Sequence, residues 1–342
     1  ALLDHDDVLA EHALYWMAAE IMAHPEAELL YSDEDKISEK DRRCDPYFKP
    51  DWNPELLIGQ NYINHLGVYK RERVLRLGGF RQGFEGSQDW DLVLRFTDDL
   101  PPEKIRHIPA VLYHWRMLAG STASDLSAKP YVVNAAKKAI TESLQRRGEE
   151  FSLDSACNGA FHLPRFSINS TPQVSIIIPT RNGLSDLRQC LNSLSLTEYP
   201  CTEILVIDNQ SDDADTLDYL AEIERRSGYR VLRYPYPFDY AAMHNWAVPQ
   251  AHGEYICLLN NDTEVITPQW LHEMLGQARR QGIGAVGAKL LYADGTVQHG
   301  GVMLGIGGIA GHAHKNIPKN SCGHFGRAAL VQDFSAVTGA CL

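Results

Sequence analysis

The chain has 342 residues, 44% hydrophobic and 22% charged, with a formal net charge of −12. That is the composition of a soluble globular protein with one large domain or two ordinary ones, and it excludes a disordered or fibrous chain. The acidic balance argues against binding a phosphate backbone, so no nucleic-acid partner is expected, although a local basic pocket for a small anion is compatible with it.

At the N-terminus, ALLDHDDVLA sets Asp4, Asp6 and Asp7 just after two leucines. Carboxylates there suit the N-terminus of the amphipathic helix that follows, and they equally suit a ligand site at a strand end. Further on, PYVVNAAKKAITESLQRRG places Val133, Ala136, Ile140 and Leu144 at helical spacing and stops at Gly148. Residues 151–171 show no sustained period, so a linker is expected between a unit over 1–150 and another over 172–342.

The second unit alternates strand and helix. VSIIIP (174–179) is a β-branched apolar run typical of a strand buried on both faces. Leu187, Cys190, Leu191 and Leu194 give 184–194 one apolar helical face. Strands are predicted over 203–208, 229–235 and 253–262, with helices over 217–228 and from Met243 to Gly253. A last helix is predicted with Thr267 as N-cap, Pro268 at its first position and Gly282 at its stop. Strand–helix alternation implies parallel pairing, hence an α/β, Rossmann-like layer.

The opening segment repeats later. ALLDHDDVLAEHALYWMAAEI aligns with CLLNNDTEVITPQWLHEML, and ELLYSDED with KLLYADGT, at separations of 256 and 261 residues. We therefore read two partial copies of one domain, tail of the first and head of the second, and expect a piece of a longer polypeptide.

Ligands in α/β sheets sit beyond the carboxyl ends of strands. Polar residues cluster there: Thr180, Arg181 and Asn182, then Asp208 and Asn209, then Asn260, Asn261 and Asp262. No GxGxxG turn follows the first strand of this unit and no GxxxxGK[ST] loop is present, which disfavours dinucleotide and P-loop readings. A strand-end carboxylate among oxygen ligands suits Mg²⁺ or Mn²⁺ on a diphosphate.

Taken as a set, PTRNG, VIDNQSDD and LLNNDTEV, with LLDHDD, GFEGSQDWDL and YHWR earlier in the chain, resemble family 2 glycosyltransferases of the GT-A fold. YSDEDKI, FKPDWNPELL, NYINHL, DGTVQHGGV and FGRAALVQDFSAVTGACL extend the likeness, which is strongest to tandem-domain, rhamnosyltransferase-like enzymes of bacterial surface-polysaccharide assembly. The resemblance implies an inverting transfer. Asp208 would hold the nucleobase or ribose, and Asp262, matched by Asp6 in the first copy, would hold Mn²⁺ or Mg²⁺ on the diphosphate. Asp89 would be the general base, His114 a metal ligand and Arg116 a counter-charge. Pro179, Thr180, Arg181, Asn209, Asn260, Asn261 and Asp4 would complete the donor site. Asn260 stands where the first copy has Asp4, so the second motif is N-x-D, which keeps only the carboxylate of Asp262.

The resemblance also implies partners: a UDP- or dTDP-sugar donor, a glycan or lipid-linked glycan acceptor, and at most peripheral membrane association at the cytoplasmic face. The first unit, 1–150, would be an acceptor-side half and the second, 172–342, a nucleotide-sugar-binding half. Two other classes stay open: a sugar nucleotidyltransferase, which PTRNGLSD does not favour, and a non-catalytic nucleotide- or glycan-binding module. The halves would either stay incomplete or close on each other as in a circular permutation. Seven scattered cysteines without a CxxC pair read as reduced, cytosolic thiols. The longest apolar runs fall far short of the roughly 20 residues that span a bilayer.

Overall fold

The computed structural model, which describes residues 1–117 and 130–342, builds its first sheet around a strand of buried acids. Strand β1 (Val8–Leu9) leads into helix α1 (Ala13–Ala23), and β2 (Leu29–Ile37) follows. Then come β3 (Arg43–Tyr47), α2 (Pro54–Gly59), β4 (Gly67–Tyr69), α3 (Arg71–Arg76), α4 (Gln88–Thr97), β5 (Ile105–Arg116) and α5 (Pro130–Arg146). The sheet order is β1-β5-β2-β3, with β4 also on β2; β5 runs parallel to β2, and the other pairings are antiparallel. Asn53 caps α2 by accepting from Leu56 N–H at 3.0 Å, with Pro54 at the first helical turn, where its missing N–H costs nothing.

The stretch expected to be a linker is structured through residue 166: β6 (Phe151–Ala156) and β7 (Phe161–Phe166) pair with each other. In β7 every second residue, His162, Pro164 and Phe166, is buried, a period of two too short to stand out in the sequence. By its contacts the chain divides into one unit of residues 1–165 with 320–333 and another of 166–319 with 334–342. Residues 320–333 thus belong to the first unit. Asn53 and Asp333 exchange hydrogen bonds at 2.9 and 3.0 Å, and Phe325 stacks on Tyr47 with ring centroids 4.0 Å apart.

The expectation of seven reduced thiols is corrected. Cys157 and Cys322 form a disulfide across a sequence separation of 165, while Cys44, Cys190, Cys201, Cys257 and Cys341 are free. A partner so far away in the chain leaves no spacing signal. Peptide mapping of alkylated, non-reduced protein should recover Cys157 and Cys322 in one linked peptide pair; two singly alkylated peptides would contradict the bridge.

The second unit contains β8 (Val174–Thr180), α6 (Leu184–Leu194), β9 (Thr202–Asp208), α7 (Ala214–Ile223), β10 (Tyr229–Arg233), α8 (Tyr240–Ala247), β11 (Tyr255–Leu258) and α9 (Trp270–Ala278). Its sheet, in the order β10-β9-β8-β11, is parallel throughout. Ile176, Ile178 and Val206 enter one core with the apolar face of α6, while Ile177, Leu205 and Ile207 enter the opposite core with α8. This two-sided burial is what the β-branched runs predict. The α/β, Rossmann-like reading is borne out.

Thr267 does not cap α9. Gln269 holds that position without a side-chain bond, Trp270 N–H turns back to Thr267 O at 3.1 Å, and Pro268 O accepts from Glu198 N–H. The Pro268 carbonyl is thereby drawn off to another loop, and the helix starts later. Strands β12 (Leu290–Leu291) and β13 (Val297–His299) pair, as do β14 (Val302–Leu304) and β15 (Ala310–His312), so the glycine-rich stretch 301–312 is a hairpin. Among the described residues, no helix is long and apolar enough to cross a membrane.

Candidate functional site

In the second unit, parallel pairing brings three strand ends side by side. Thr180 lies opposite Asp208 in the β8–β9 register, and Asn209 N–H donates to Thr180 O at 3.0 Å. From beyond β11, Asn261 Nδ2 reaches Thr180 Oγ1 at 3.2 Å. Gly183 leaves room for this contact: a Cβ there would lie 2.8 Å from Asn261 Nδ2. Asp208 is buried and accepts from Ser211 N–H at 3.1 Å and from Arg233 Nη1 at 2.8 Å. Asn209 donates to Tyr236 O at 2.9 Å, and its side-chain oxygen is buried without a hydrogen-bond partner. An orphaned buried acceptor of this kind is costly unless a ligand or water satisfies it. Pro179 is half-buried and Arg181 exposed at the same edge.

Asp262 is exposed and lines a cleft of about 610 Å³ with Lys289, Tyr292 and Lys319. The Asn260 carbonyl already accepts from Thr263 Oγ1 at 2.8 Å, and Glu264, which lines the same cleft, accepts from Gln189 Nε2. Among the described residues, no three His, Cys, Asp or Glu side chains come together as a metal cage. A single carboxylate still fits a magnesium-type ion, which takes one or two carboxylates and draws its other ligands from substrate phosphates and water.

In the first unit, β1 pairs with the end of β5, Val8 opposite His114, and so gathers the acidic triplet beside YHWR. Asp7 accepts from Tyr113 Oη and, at 2.7 Å, from Arg116 N–H. Burial raises the Asp7 carboxyl, against these two hydrogen bonds. Arg116 is held by Asp6 O and Asp41, each at 2.8 Å, and Asp4 N–H approaches Tyr113 Oη at 3.4 Å. His114 Nδ1 is taken by Asp35, which leaves only Nε2 for any ligand role.

Asp89 sits in the first turn of α4 and accepts from Asn61 Nδ2 at 2.9 Å and Asn64 Nδ2 at 2.8 Å. Burial pushes its carboxyl above the usual range, against the pull of His65 and of the Trp90 and Asp89 amides. Raised basicity is what a general base near neutral pH requires. His65 stacks on Tyr113 at 4.7 Å and lowers the carboxyls of both Asp89 and Asp7. Asn61, Asn64 and His65 were not singled out by the sequence reading, nor were Arg233 and Tyr236. The only signal was the polar run inside NYINHL.

A parallel α/β layer with polar side chains gathered at adjacent strand ends is the arrangement in which such domains bind ligands. Residues 175–328, most of them in the second unit, match the family described as Glycosyl transferase family 2. The whole chain is 48% identical over 347 residues to the uncharacterized protein y4gI of Sinorhizobium fredii, covering 100% of this chain and 38% of that protein. It is 38% identical over 344 residues to the O-antigen biosynthesis protein RfbC of Myxococcus xanthus, covering 99% of this chain and 26% of that one. The chain therefore spans well under half the length of these curated relatives. A solved mannosyltransferase from Pyrobaculum calidifontis, PcManGT with GDP-Man and Mn²⁺, matches 36% of this chain and 37% of its own at 21% identity and a TM-score of 0.33, too low to carry weight.

Proposed function

We propose that this chain is part of a metal-dependent, inverting glycosyltransferase that moves a sugar from a nucleotide-diphosphate donor to a glycan acceptor in bacterial surface-polysaccharide synthesis. The observation that carries the reading is the convergence of Thr180, Asp208 and Asn261 at three adjacent parallel strand ends within the family 2 segment. Asp208 and Asn209 hold the nucleoside, and Asp262 holds Mg²⁺ or Mn²⁺ against the diphosphate. The metal supplies charge neutralisation for the leaving group. Asp89 serves the separate domain to which the first unit belongs, where it takes the proton from an acceptor hydroxyl as that oxygen bonds to the anomeric carbon and the bond to the diphosphate breaks. The name of the Myxococcus relative supports the O-antigen context.

The two units read as halves of successive GT-A domains, acceptor side first. Helix packing supports this. In the repeat alignment α1 falls on α9, where Leu271 and Leu275 are buried and Trp270 and Met274 pack on the core that contains α6. The matching positions Leu14 and Tyr15 on α1 are 73% and 71% exposed, while α1 buries Ala13 and Met17 toward β2 and β5.

Calorimetric titration with UDP and dTDP, with and without Mn²⁺, tests the donor site. Asp208→Ala removes the partner of Arg233 and of Ser211 N–H, and should weaken nucleotide binding about tenfold or more, as for a charged hydrogen bond. Asp262→Ala should abolish only the metal-dependent increment. No nucleotide binding by folded protein would defeat the reading. The Asn260 substitution favours a second reading, a non-catalytic binding module, for the second unit. Binding without donor hydrolysis or transfer in the full-length polypeptide would select it. The Cys157–Cys322 bridge stands against the cytoplasmic, membrane-peripheral location that the resemblance implies, because reducing compartments keep such pairs as thiols, and the oxidation state of the pair in freshly alkylated cells decides between the two.

A further inference from the structure

Lys49 follows β3, and its side chain is 0% exposed, an expensive place for an ammonium group. Three acceptors meet its three N–H bonds: Glu34 Oε2 at 3.3 Å, Ile63 O at 3.4 Å and His65 O at 2.5 Å. Its own backbone N–H is fixed by Asp33 Oδ1 at 2.9 Å. Glu34 adds to the grip by accepting from His65 N–H and lying 3.3 Å from His65 Nδ1.

Residues 61–66, which this pair holds, belong to no helix or strand; they join α2 to β4. Backbone groups outside regular structure need partners from elsewhere, and here the buried ion pair provides them. The same six residues carry Asn61 and Asn64, both donating to Asp89, and His65, stacked on Tyr113. We propose that Lys49 is a positioning residue for Asp89: through the carbonyls of Ile63 and His65 its ammonium fixes the segment whose two asparagines hold the Asp89 carboxylate. Lysine is suited to this because it offers three N–H donors in one charged group, which a neutral side chain of that length does not. The inference rests on the reading of Asp89 as the base only for its catalytic consequence. The titratable groups that face Asp89 are His65 and Tyr69.

The test is a pH titration of the Asp89 carboxyl by ¹³C NMR on this chain, with the resonance assigned by its loss in Asp89→Asn. Lys49→Met should free residues 61–66, loosen the Asn61 and Asn64 donors, admit water to Asp89 and so shift its titration. Glu34→Gln, which keeps an acceptor for Lys49, should move it the same way by less, and serves if Lys49→Met does not fold. An unchanged Asp89 titration in either folded variant overturns the proposal. In the full-length polypeptide Lys49→Met should lower kcat about 100-fold, the scale of a small misplacement of a reacting group, with donor KM unchanged. If Asp89→Asn keeps full turnover, the reading of Asp89 as base fails, whereas the positioning of Asp89 still stands or falls on the NMR titration.

Discussion

Asp89→Asn is expected to cut sugar transfer roughly 100- to 10,000-fold in the full-length polypeptide, the contribution of a positioned general base. The change is nearly isosteric, and its carbonyl oxygen still accepts from Asn61 or Asn64, so folding and nucleotide binding should persist. The pH dependence follows from burial. Because the Asp89 carboxyl lies above the ordinary range, wild-type activity should rise as pH climbs through that elevated value and deprotonates the base. The Asn variant should lack this rise. Initial rates across pH, with donor binding measured in parallel, check both points, and full activity in the variant would remove Asp89 from the chemistry.

A large effect on stability is expected at Asp91, two residues further along α4. Its side chain is buried and bonds Arg95 at 2.7 and 3.0 Å and Arg81 at 3.1 Å. Arg95 is itself buried and also donates to Leu77 O and Gly79 O, so it cannot turn to solvent without breaking the α3–α4 connection. Asp91→Ala strands that guanidinium and should cost about 3–5 kcal/mol, the usual penalty for removing one partner of a buried pair. Urea denaturation at neutral pH measures it. Burial would raise the Asp91 carboxyl, but Arg81 and Arg95 outweigh burial and hold it below the usual range. A depressed folded value means that the contribution is full above the unfolded value of about 3.9 and is lost as pH falls through the lower folded one. Wild type should therefore lose stability in that acid range by more than Asp91→Ala does.

The second unit was the more legible of the two, for a physical reason. Val174–Thr180 and Leu184–Leu194 are buried by their own periodicity, so the residues that decide the fold are neighbours in sequence. The site in the first unit rests on partners far apart. Asp33, Glu34 and Asp35 look like a solvated acidic run, yet all three are buried, matched by His107, Lys49 and His114 with Arg43. No local pattern announces that Lys49 will fall beside Glu34, or that Asn61 and Asn64 will reach Asp89. The aligned segments, read as a repeat, pair differently in the sheets. Leu29–Ile37 is a nine-residue central strand because β5 pairs along its length, whereas its counterpart near Leu290 pairs over two residues with β13.

The bridge between Cys157 and Cys322 has a consequence for how this polypeptide comes apart. It closes a covalent ring that contains almost all of the second unit, since the two cysteines lie 165 positions apart. A protease that nicks any one bond inside that ring leaves two pieces that migrate together until a reductant is added. The ring also limits how far the second unit can expand when it unfolds. A loop of that length is worth roughly 5 kcal/mol of lost chain entropy in the unfolded ensemble. Limited proteolysis would therefore score the protein as intact or cleaved according to the gel buffer, and the second unit should become easier to unfold once the bridge is opened.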